Sequence, residues 1–335
     1  MSTSSATEIR EARIERWEYT YPFRISGYNW TQAELVYVEI ENGGFRGRGE
    51  CAGIYYKDDL PEQCLSEIKR MRGPLADGTT RLELQQLLPP GGARNALDCA
   101  FWDLEAKQRS IPVWKLAGLE PPRAVQTTYT IGADDPAAMA ERAIAFSGAT
   151  ALKLKLTGES VDADRVRAVR GARPDVWLAV DANQGFTRPL LEQLLPVLVD
   201  ARIELIEQPF AVGREADLDG FNSPIPLAAD ETAQTAADLP ALVDRFDIVN
   251  IKLDKCGGLT AGLEMAREAR KLGLGVMVGN MMGTSIAMAP AFLVGQLCDV
   301  VDLDGPLLLR TDRQRAVKYE NGTIWASEDV WGGTR

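Results

Sequence analysis

Short apolar runs that end in a charged residue recur at nearly constant intervals through the middle of the chain. The charged residues are Lys155, Asp181, Glu207, Asp230 and Lys252, and successive members are separated by 26, 26, 23 and 22 residues. An interval of this size accommodates one β-strand and one α-helix, so the runs predict parallel strands connected by helices. In barrels of such units, polar residues at the C-terminal ends of the strands carry the chemistry. The pattern therefore predicts a ring of three acids flanked by lysines.

The same alternation extends to eight units. We predict strands near residues 125–131, 150–156, 177–181, 203–207, 225–230, 247–252, 275–279 and 299–303, with helical segments such as 137–145 and 262–271 between them. Eight such units favour an α/β fold that closes into a (β/α)8-like barrel, a modified TIM barrel, over residues 122–305.

The segments on either side of the barrel predict a second unit. Residues 1–121 have the pattern of an α+β capping domain, with antiparallel strands up to about residue 55, a hairpin turn at 42–44 and a helix over 92–106. Residues 306–335 contain a predicted hairpin at 317–325. We expect this C-terminal segment to pack back on the capping domain and complete it.

The bulk composition excludes several classes of partner and of catalytic group. A net charge of −11 over 335 residues argues against nucleic acid and membrane surfaces as partners, because the long-range field would repel both. The five cysteines lack zinc spacing and the N-terminus has no signal segment, so we predict a cytoplasmic protein with reduced thiols. Because the chain has no histidine, proton transfer near neutral pH falls to Lys, Asp, Glu, Tyr or Cys.

Lys153 and Lys155 lie two residues apart, so both side chains point to the same face of the predicted strand. An exposed edge strand is the alternative, but leucines at 152, 154 and 156 favour a buried one. Inside a barrel, the two ammonium groups would lower each other's pKa and make one of them a useful general base. Lys252 is four strands later and faces Lys155 across the ring, whereas Lys255 is expected at the surface or in a loop.

Asp181, Glu207 and Asp230 end three successive predicted strands. Any one of them alone is equally well explained as the N-cap of the following helix. Three carboxylates on one rim repel one another, however, and oxygen ligands without His or Cys favour Mg²⁺, here one ion per subunit. Asn183 and Glu231 lie close enough in sequence to support these ligands, although helix capping explains either of them equally well.

This arrangement suits inversion at a carbon next to a carboxylate. One lysine would remove the α-proton and the other would protonate the opposite face, while Mg²⁺ on the carboxylate would stabilise the enolate. Asp302 and Asp304 end the last strand, also two residues apart. They either attract a substrate ammonium group or cap the loop that follows, and both interpretations stay open on the sequence alone.

Taken together, these motifs resemble the enolase superfamily in its muconate lactonizing enzyme branch. The motifs are Lys153-x-Lys155, Asp181-x-Asn183, Glu207-Gln-Pro209, Asp230-Glu231, the run from Asn250 to Gly258, and residues 93–103 of the capping domain. The resemblance implies that Lys155 and Lys252 are the acid/base pair and that Lys153 supports Lys155 and the substrate carboxylate. It also implies that the three acids bind Mg²⁺.

The pair Asp302-x-Asp304 resembles the mark of the dipeptide epimerases, in the L-Ala-D/L-Glu epimerase group. That likeness implies that the pair binds the α-ammonium group of a dipeptide whose C-terminal residue is epimerised. Residues 278–285 resemble the seventh-strand loop of the same family, so Asn280 and Met281 are predicted to contact the substrate. Barrels of this family often form symmetric oligomers, which makes a homo-oligomer an expectation here.

One departure from the family concerns the substrate side chain. Members that act on Ala-Glu carry an arginine in an N-terminal loop, and that position aligns near Gly27 or Tyr28, neither of which is basic. Arg24 lies three or four residues earlier, and the second specificity loop, around Tyr55, is aromatic and acidic. We therefore expect Arg24, Tyr28 and Tyr55 to surround a side chain that is small, apolar or cationic rather than glutamate.

Other functions are compatible with the same residues. An N-acylamino acid racemase, an o-succinylbenzoate synthase or a cycloisomerase would use the metal ligands and the lysines without needing Asp302 and Asp304. A Schiff-base lysine aldolase would need no metal, and a non-catalytic barrel would bind Mg²⁺ without turnover.

Overall fold

The computed structural model describes residues 6–335. Residues 1–5, which the predictions of a capping domain and of an absent signal segment include, lie outside the described residues. Within 6–335, no helix combines the length and the apolar character that crossing a membrane requires.

The N-terminal unit is an antiparallel sheet covered by helices. Its strands are β1 (Glu8–Ile25), β2 (Tyr28–Asn42) and β3 (Phe45–Cys51), and its helices are α1 (Pro61–Arg70), α2 (Arg72–Ala76), α3 (Arg81–Leu87), α4 (Gly92–Arg109) and α5 (Val113–Leu116). The hairpin turn predicted at 42–44 connects β2 to β3. Helix α4 packs directly on β3 because the strand presents glycines to it. A Cβ atom at Gly49 would lie 1.9 Å from the carbonyl oxygen of Ala96.

The second unit is a parallel barrel. Its strands are β5 (Tyr129–Ile131), β6 (Ala151–Lys155), β7 (Trp177–Asp181), β8 (Leu205–Glu207), β9 (Leu227–Ala229), β10 (Ile248–Ile251), β11 (Gly275–Val278) and β12 (Val300–Val301), hydrogen-bonded in sequence order. The helices between them are α6 (Pro136–Ala145), α7 (Asp162–Ala172), α8 (Arg188–Asp200), two 3₁₀ helices (Glu215–Leu218 and Ala236–Ala241), α9 (Leu253–Cys256), α10 (Leu259–Lys271) and α11 (Ser285–Gly295), and α12 (Gly305–Leu308) follows β12. The predicted (β/α)8-like class is confirmed.

The register of the strands brings the charged residues to one end of the barrel. Lys155 pairs with Asp181, and Asp181 pairs with Glu207 on the next strand. The ring closes where the amide of Thr128 donates to the carbonyl of Val301 (3.0 Å) and the amide of Leu303 donates to the Thr127 hydroxyl (2.9 Å). The eight strands therefore surround a single C-terminal rim.

The first predicted strand, 125–131, is interrupted. Its start, β4 (Val125–Gln126), leaves the barrel and pairs with the C-terminal hairpin formed by β13 (Lys318–Glu320) and β14 (Thr323–Trp325). The hairpin and β4 thus form a separate three-stranded sheet, and the hairpin does not extend the capping sheet. Its flanks do contact the capping unit, where Arg310 donates to Glu18 O (2.9 Å) and the Trp331 indole to Arg48 O (2.9 Å).

Helix α4 also joins the two units. The guanidinium of Arg94 donates to the carbonyl of Cys256 (2.6 Å), and the Asp98 carboxylate accepts from the amide of Thr260 (2.9 Å). Gly257 and Gly258 make this approach possible, since a Cβ atom at either would lie within 2.6 Å of Arg94 or Asp98. The capping unit is therefore held over the segment that follows β10, where Lys252 lies.

Candidate active site

A cavity of about 440 Å³ lies between the C-terminal rim of the barrel and the loops of the capping unit. The barrel contributes Thr130, Lys153, Lys155, Asn183, Lys252, Asn280, Met281, Met282, Asp302 and Asp304, and the capping unit contributes mostly aromatic and small residues, among them Tyr19, Phe23, Trp30, Ala52, Gly53 and Tyr55. Lys153, Lys155, Lys252, Asp302 and Asp304, which the sequence singled out, thus line one cavity.

Asp181, Glu207 and Asp230 converge beneath this cavity. One carboxylate oxygen from each lies within 4.8 Å of the others, and all three side chains are buried. Burial and the nearby charge of Asp181 raise the pKa of Glu207 to about 7, because three carboxylates in a low-dielectric site disfavour full ionisation. A bound cation would reduce the repulsion among these carboxylates.

The donor set fits a hard divalent cation. Three buried carboxylates from successive strands supply oxygen ligands and leave the remaining positions to water or substrate, which is how Mg²⁺ is usually bound. Close by, Asn183 Nδ2 donates to Glu231 Oε1 (3.3 Å), while Asn183 Oδ1 and Glu231 Oε2 are buried without a partner among the described residues. Burial, followed by the charge of Asp230, raises the pKa of Glu231 to about 8. These unpartnered oxygens mark a polar space beside the acids.

Lys155 and Lys252 approach the acid cluster from opposite strands. Lys155 Nζ donates to Asp181 Oδ2 (2.5 Å), and Lys252 Nζ donates to Asp230 Oδ2 (2.6 Å). Lys155 belongs to β6 and Lys252 follows β10, four strands away in the ring. Although burial opposes it, the charge of Asp230 holds the pKa of Lys252 well above its usual value.

The ammonium group of Lys153 contacts carboxylates rather than the neighbouring Lys155. Its ammonium group donates to Asp302 and to Glu207 Oε2, the latter at 3.1 Å. Burial opposes ionisation, but these carboxylates hold the pKa of Lys153 well above its usual value. The prediction that the two neighbouring ammonium groups lower each other's pKa is therefore wrong for Lys153, because its nearest charges are acids and not Lys155.

Asp302 and Asp304 enter the cavity side by side but have different partners. Asp302 accepts from Lys153 and from the Thr128 hydroxyl, and Lys153 lowers the pKa of Asp302 against the effect of burial. Asp304 accepts from the amide of Thr130 (2.5 Å), and burial together with the charge of Asp302 raises its pKa to about 6. Asp304 is the carboxyl with less positive charge around it.

Two residues that contact the acid cluster were not predicted to do so. Lys255, expected at the surface, is fully buried and donates to Asp230 Oδ1 (2.5 Å), Asp230 O (2.5 Å) and Asn250 O (2.9 Å). The short helix α9 places the Lys255 side chain beneath the rim. The spacing of three residues between Lys252 and Lys255 does not reveal this position. Asn250 Nδ2 donates to Glu207 Oε1 (2.6 Å). Asn250 lies two residues before Lys252, so both side chains face the same side of the strand, and this spacing could have identified Asn250 as an inward residue.

The mouth of the cavity is aromatic. Trp30 lines it and stacks on Tyr28 at a centroid distance of 5.2 Å, while Tyr55 meets both rings edge-on at 5.2 and 4.7 Å. Tyr28 is not among the lining residues and lies outside Trp30. Arg24 does not line the cavity either, and its guanidinium pairs with Glu159 (2.9 Å). Trp30 is the wall residue that the sequence interpretation overlooked.

Comparison with known proteins agrees with this architecture. The chain matches the family model for the mandelate racemase / muconate lactonizing enzyme N-terminal domain over residues 9–118, and the enolase C-terminal domain-like family over residues 135–330. It is 38% identical over 312 residues to the L-Ala-D/L-Glu epimerase of Escherichia coli (strain K12), covering 92% of this chain and 97% of the relative. It is 42% identical over 305 residues to an N-acetyl-D-glutamate racemase of a Pseudoalteromonas species, covering 89% and 95%.

Solved structures show the same similarity. An enolase family member from Agrobacterium tumefaciens with homology to dipeptide epimerases, containing sodium and L-Ala-L-Glu, superposes with a TM-score of 0.93 at 41% identity over 97% of this chain and 100% of that one. A dipeptide epimerase from Methylococcus capsulatus, complexed with Mg and L-Arg-D-Lys, has a TM-score of 0.88 at 29% identity over 96% and 97%. The chain belongs to the enolase superfamily, within the mandelate racemase / muconate lactonizing enzyme family.

Proposed function

We propose that the protein is a Mg²⁺-dependent isomerase, a dipeptide epimerase that inverts the α-carbon of the C-terminal residue of a dipeptide. The observation that carries the proposal is the placement of Lys155 and Lys252 four strands apart, with the acid cluster between them. The similar proteins support it, since one is an L-Ala-D/L-Glu epimerase and another is a dipeptide epimerase complexed with Mg and a dipeptide.

Asp181, Glu207 and Asp230 would hold the metal ion. When bound, Mg²⁺ supplies positive charge beside the substrate carboxylate and so lowers the free energy of the negative charge that develops there. Asn250 orients Glu207 through its 2.6 Å hydrogen bond, and Lys255 orients Asp230.

The two lysines move the proton. In one direction Lys155, neutral at Nζ, accepts the α-proton while Lys252, as an ammonium, donates a proton to the opposite face of the same carbon. In the other direction the roles reverse, so each turnover removes one proton from carbon and returns one. The hydrogen bonds to Asp181 and Asp230 fix the direction of each Nζ atom. Lys153 stays charged between Asp302 and Glu207 and balances the acids around it.

Asp304 is suited to the α-ammonium group of the dipeptide. A carboxylate offers about four acceptor sites, so Asp304, which accepts from the amide of Thr130, retains capacity for a substrate cation. Asp302 is engaged by Lys153 and Thr128 and adds negative charge behind it. Asn280 and Met281 line the same wall and would contact the dipeptide backbone or its N-terminal side chain.

We further propose that the epimerised side chain is apolar or cationic rather than glutamate. Among the described residues that line the cavity, the only basic side chains are the three lysines of the floor, whereas Glu34 and Glu62 lie at the mouth. A substrate carboxylate there would have no cation to pair with. Trp30→Arg places a cation in the wall and should raise kcat/KM for L-Ala-L-Glu, whereas Tyr28→Arg, outside the wall, should raise it less. No gain in either variant would argue against this assignment.

A second candidate is N-acylamino acid racemisation, favoured by the similarity to the N-acetyl-D-glutamate racemase. Such substrates carry no α-ammonium group. Asp304→Asn separates the two functions, because it should lower kcat/KM for dipeptides at least tenfold while leaving activity on N-acetyl amino acids nearly unchanged. An Asp304→Asn variant with full activity on dipeptides would favour the racemase.

Mass spectrometry of a dipeptide panel in D₂O with Mg²⁺ tests the proposal as a whole. An epimerase exchanges the α-proton through its lysines, so substrates gain one mass unit even when no net product accumulates. We expect the gain in a subset of dipeptides and its loss on addition of EDTA. If no dipeptide exchanges but N-acetyl amino acids do, the second candidate is correct.

We also propose a cytoplasmic location and a homo-oligomeric state. The five cysteines are free thiols, which suits a reducing compartment. Cell fractionation tests the first proposal, and light scattering coupled to size-exclusion chromatography tests the second, with a mass near the 36.7 kDa of one chain as the opposing result.

A further inference from the structure

Asp254 connects the loop between β3 and α1 to the segment that carries Lys252. This residue lies in α9, two positions after Lys252, and is 5% exposed. Asp254 Oδ1 accepts from the backbone amides of Ala52 and Gly53, both at 2.9 Å. The proton transfers proposed above do not involve Asp254, so they do not explain why an acid is buried at this position.

The loop it holds, residues 52–60, is otherwise tied down at its base. Ile54 and Asp59 form a β-bridge, with the Ile54 amide 2.7 Å from the Asp59 carbonyl. The Asp59 carboxylate accepts from the amide of Gly92 (2.8 Å) at the start of α4. Gly53 has a φ of +73°, and a Cβ there would lie 2.0 Å from the Asp59 carbonyl oxygen. The base is therefore held by several hydrogen bonds, and Asp254 links it to the segment that follows β10.

The tip of this loop enters the cavity. Tyr55 lines it together with Lys252 and packs against Trp30, with ring centroids 5.2 Å apart. The adjacent Tyr56 hydroxyl accepts from Gln234 Nε2 (2.9 Å) on the segment after β9. The loop thus covers the Lys252 side of the cavity.

We propose that Asp254 is a positioning residue that holds Tyr55 over Lys252 and so limits access of solvent to that face of the substrate. The inference rests on the proposed function, since it assigns different surroundings to the two lysines that move the proton. Lys155 lies across the ring, whereas the two hydrogen bonds of the Asp254 carboxylate go to Ala52 and Gly53 on the Lys252 side.

The test compares Asp254→Ala with Asp98→Ala. Both variants remove a buried carboxylate that accepts backbone amides across the interface of the two units, but Asp98 bonds to Thr260, away from the loop. Hydrogen–deuterium exchange of the 52–60 peptide should speed up at least fivefold in Asp254→Ala and stay at the wild-type rate in Asp98→Ala. Asp254→Asn keeps an acceptor oxygen and should restore slow exchange.

The catalytic measurement is the deuterium content of recovered substrate relative to product in D₂O, starting from each epimer. A Lys252→Ala variant identifies the epimer whose α-proton Lys252 removes. In Asp254→Ala we expect the ratio to rise at least threefold from that epimer and to stay unchanged from the other. Tyr55→Ala should reproduce this asymmetry without disturbing the anchor.

Equal changes from both epimers, or a change no larger than in Asp98→Ala, would overturn the inference. A wild-type protein that exchanges no substrate would instead overturn the proposed function and with it the catalytic role of Asp254. Hydrogen–deuterium exchange of the 52–60 peptide would then still decide whether Asp254 anchors the loop. If Asp254→Ala does not fold, Tyr55→Ala still tests whether the loop limits solvent access from one epimer only, and equal changes from both epimers would overturn the inference.

Discussion

Lys255 gives the most demanding test of how the site is built. Its side chain is fully buried, and its ammonium group makes three hydrogen bonds, two to Asp230 and one to the carbonyl of Asn250. Burial lowers the pKa of Lys255, and the charge of Asp230 opposes that shift. Replacing it with methionine keeps the volume but leaves Asp230 with Lys252 as its remaining cation. It also removes one donor from the carbonyl of Asn250 and one from the carbonyl of Asp230, which keeps the amide of Ala233 (3.0 Å). Breaking a buried ion pair costs about 3–5 kcal/mol.

We therefore expect Lys255→Met to lower the free energy of unfolding by about 4 kcal/mol in urea titrations with EDTA present, with an unchanged m-value. Lys271→Met is the matched control, because its ammonium group pairs with Glu268 at the surface with 69% of the side chain exposed. Such exposed pairs contribute about 0–1 kcal/mol. A Lys255→Met variant within about 1 kcal/mol of the wild type would refute the view that this lysine supports the metal ligand.

Three further predictions concern packing, charge and the metal. Gly49→Ala should destabilise the protein by about 1–3 kcal/mol or more, because its Cβ would lie 1.9 Å from the Ala96 carbonyl oxygen. Gly148→Ala is the control: no atom lies within 4 Å of its Cβ position, so thermal melts should show almost no change in stability. Burial raises the pKa of Asp98 from 3.8 to about 6, so its contribution to the free energy of unfolding should fall as pH rises through that interval, by up to about 3 kcal/mol. Asp98→Asn should make the pH slope shallower by that amount, while the slope from the other buried acids remains. Mg²⁺ at about 100 times its Kd should raise the free energy of unfolding by about 2.7 kcal/mol, and an Asp181→Asn variant that gains as much as the wild type would contradict the ligand assignment.

The sequence alone was sufficient to predict the barrel and the charged residues at its C-terminal rim. Lys155, Asp181 and Glu207 end buried strands at a constant interval, and parallel pairing of such strands brings their C-terminal ends together without further information. The interruption of the first strand was not predictable in this way. It depends on Thr127 and Thr128 bonding to the last strand, which only closure of the ring brings near.

The residues that support the site depend on tertiary contacts. Lys255 turns inward because Gly257, at a φ of +87°, ends a single helical turn directly after the strand. Its spacing from Lys252 is equally typical of an exposed helix face. Tyr28 and Trp30 lie two residues apart on one strand, so the pattern gives them the same direction. Only the folded structure shows that Trp30, and not Tyr28, lines the cavity. The link from Asp254 to Ala52 spans 202 residues and leaves no trace in local patterns.

Exchange of the α-proton in D₂O by Lys155→Ala and Lys252→Ala, each started from both epimers of one substrate, tests the central claim most directly. If the two lysines act on opposite faces, each variant should lose net epimerisation yet keep exchange from a single epimer, and the two variants should keep opposite ones. Loss of exchange from both epimers in one variant, with full exchange in the other, would contradict the two-base account.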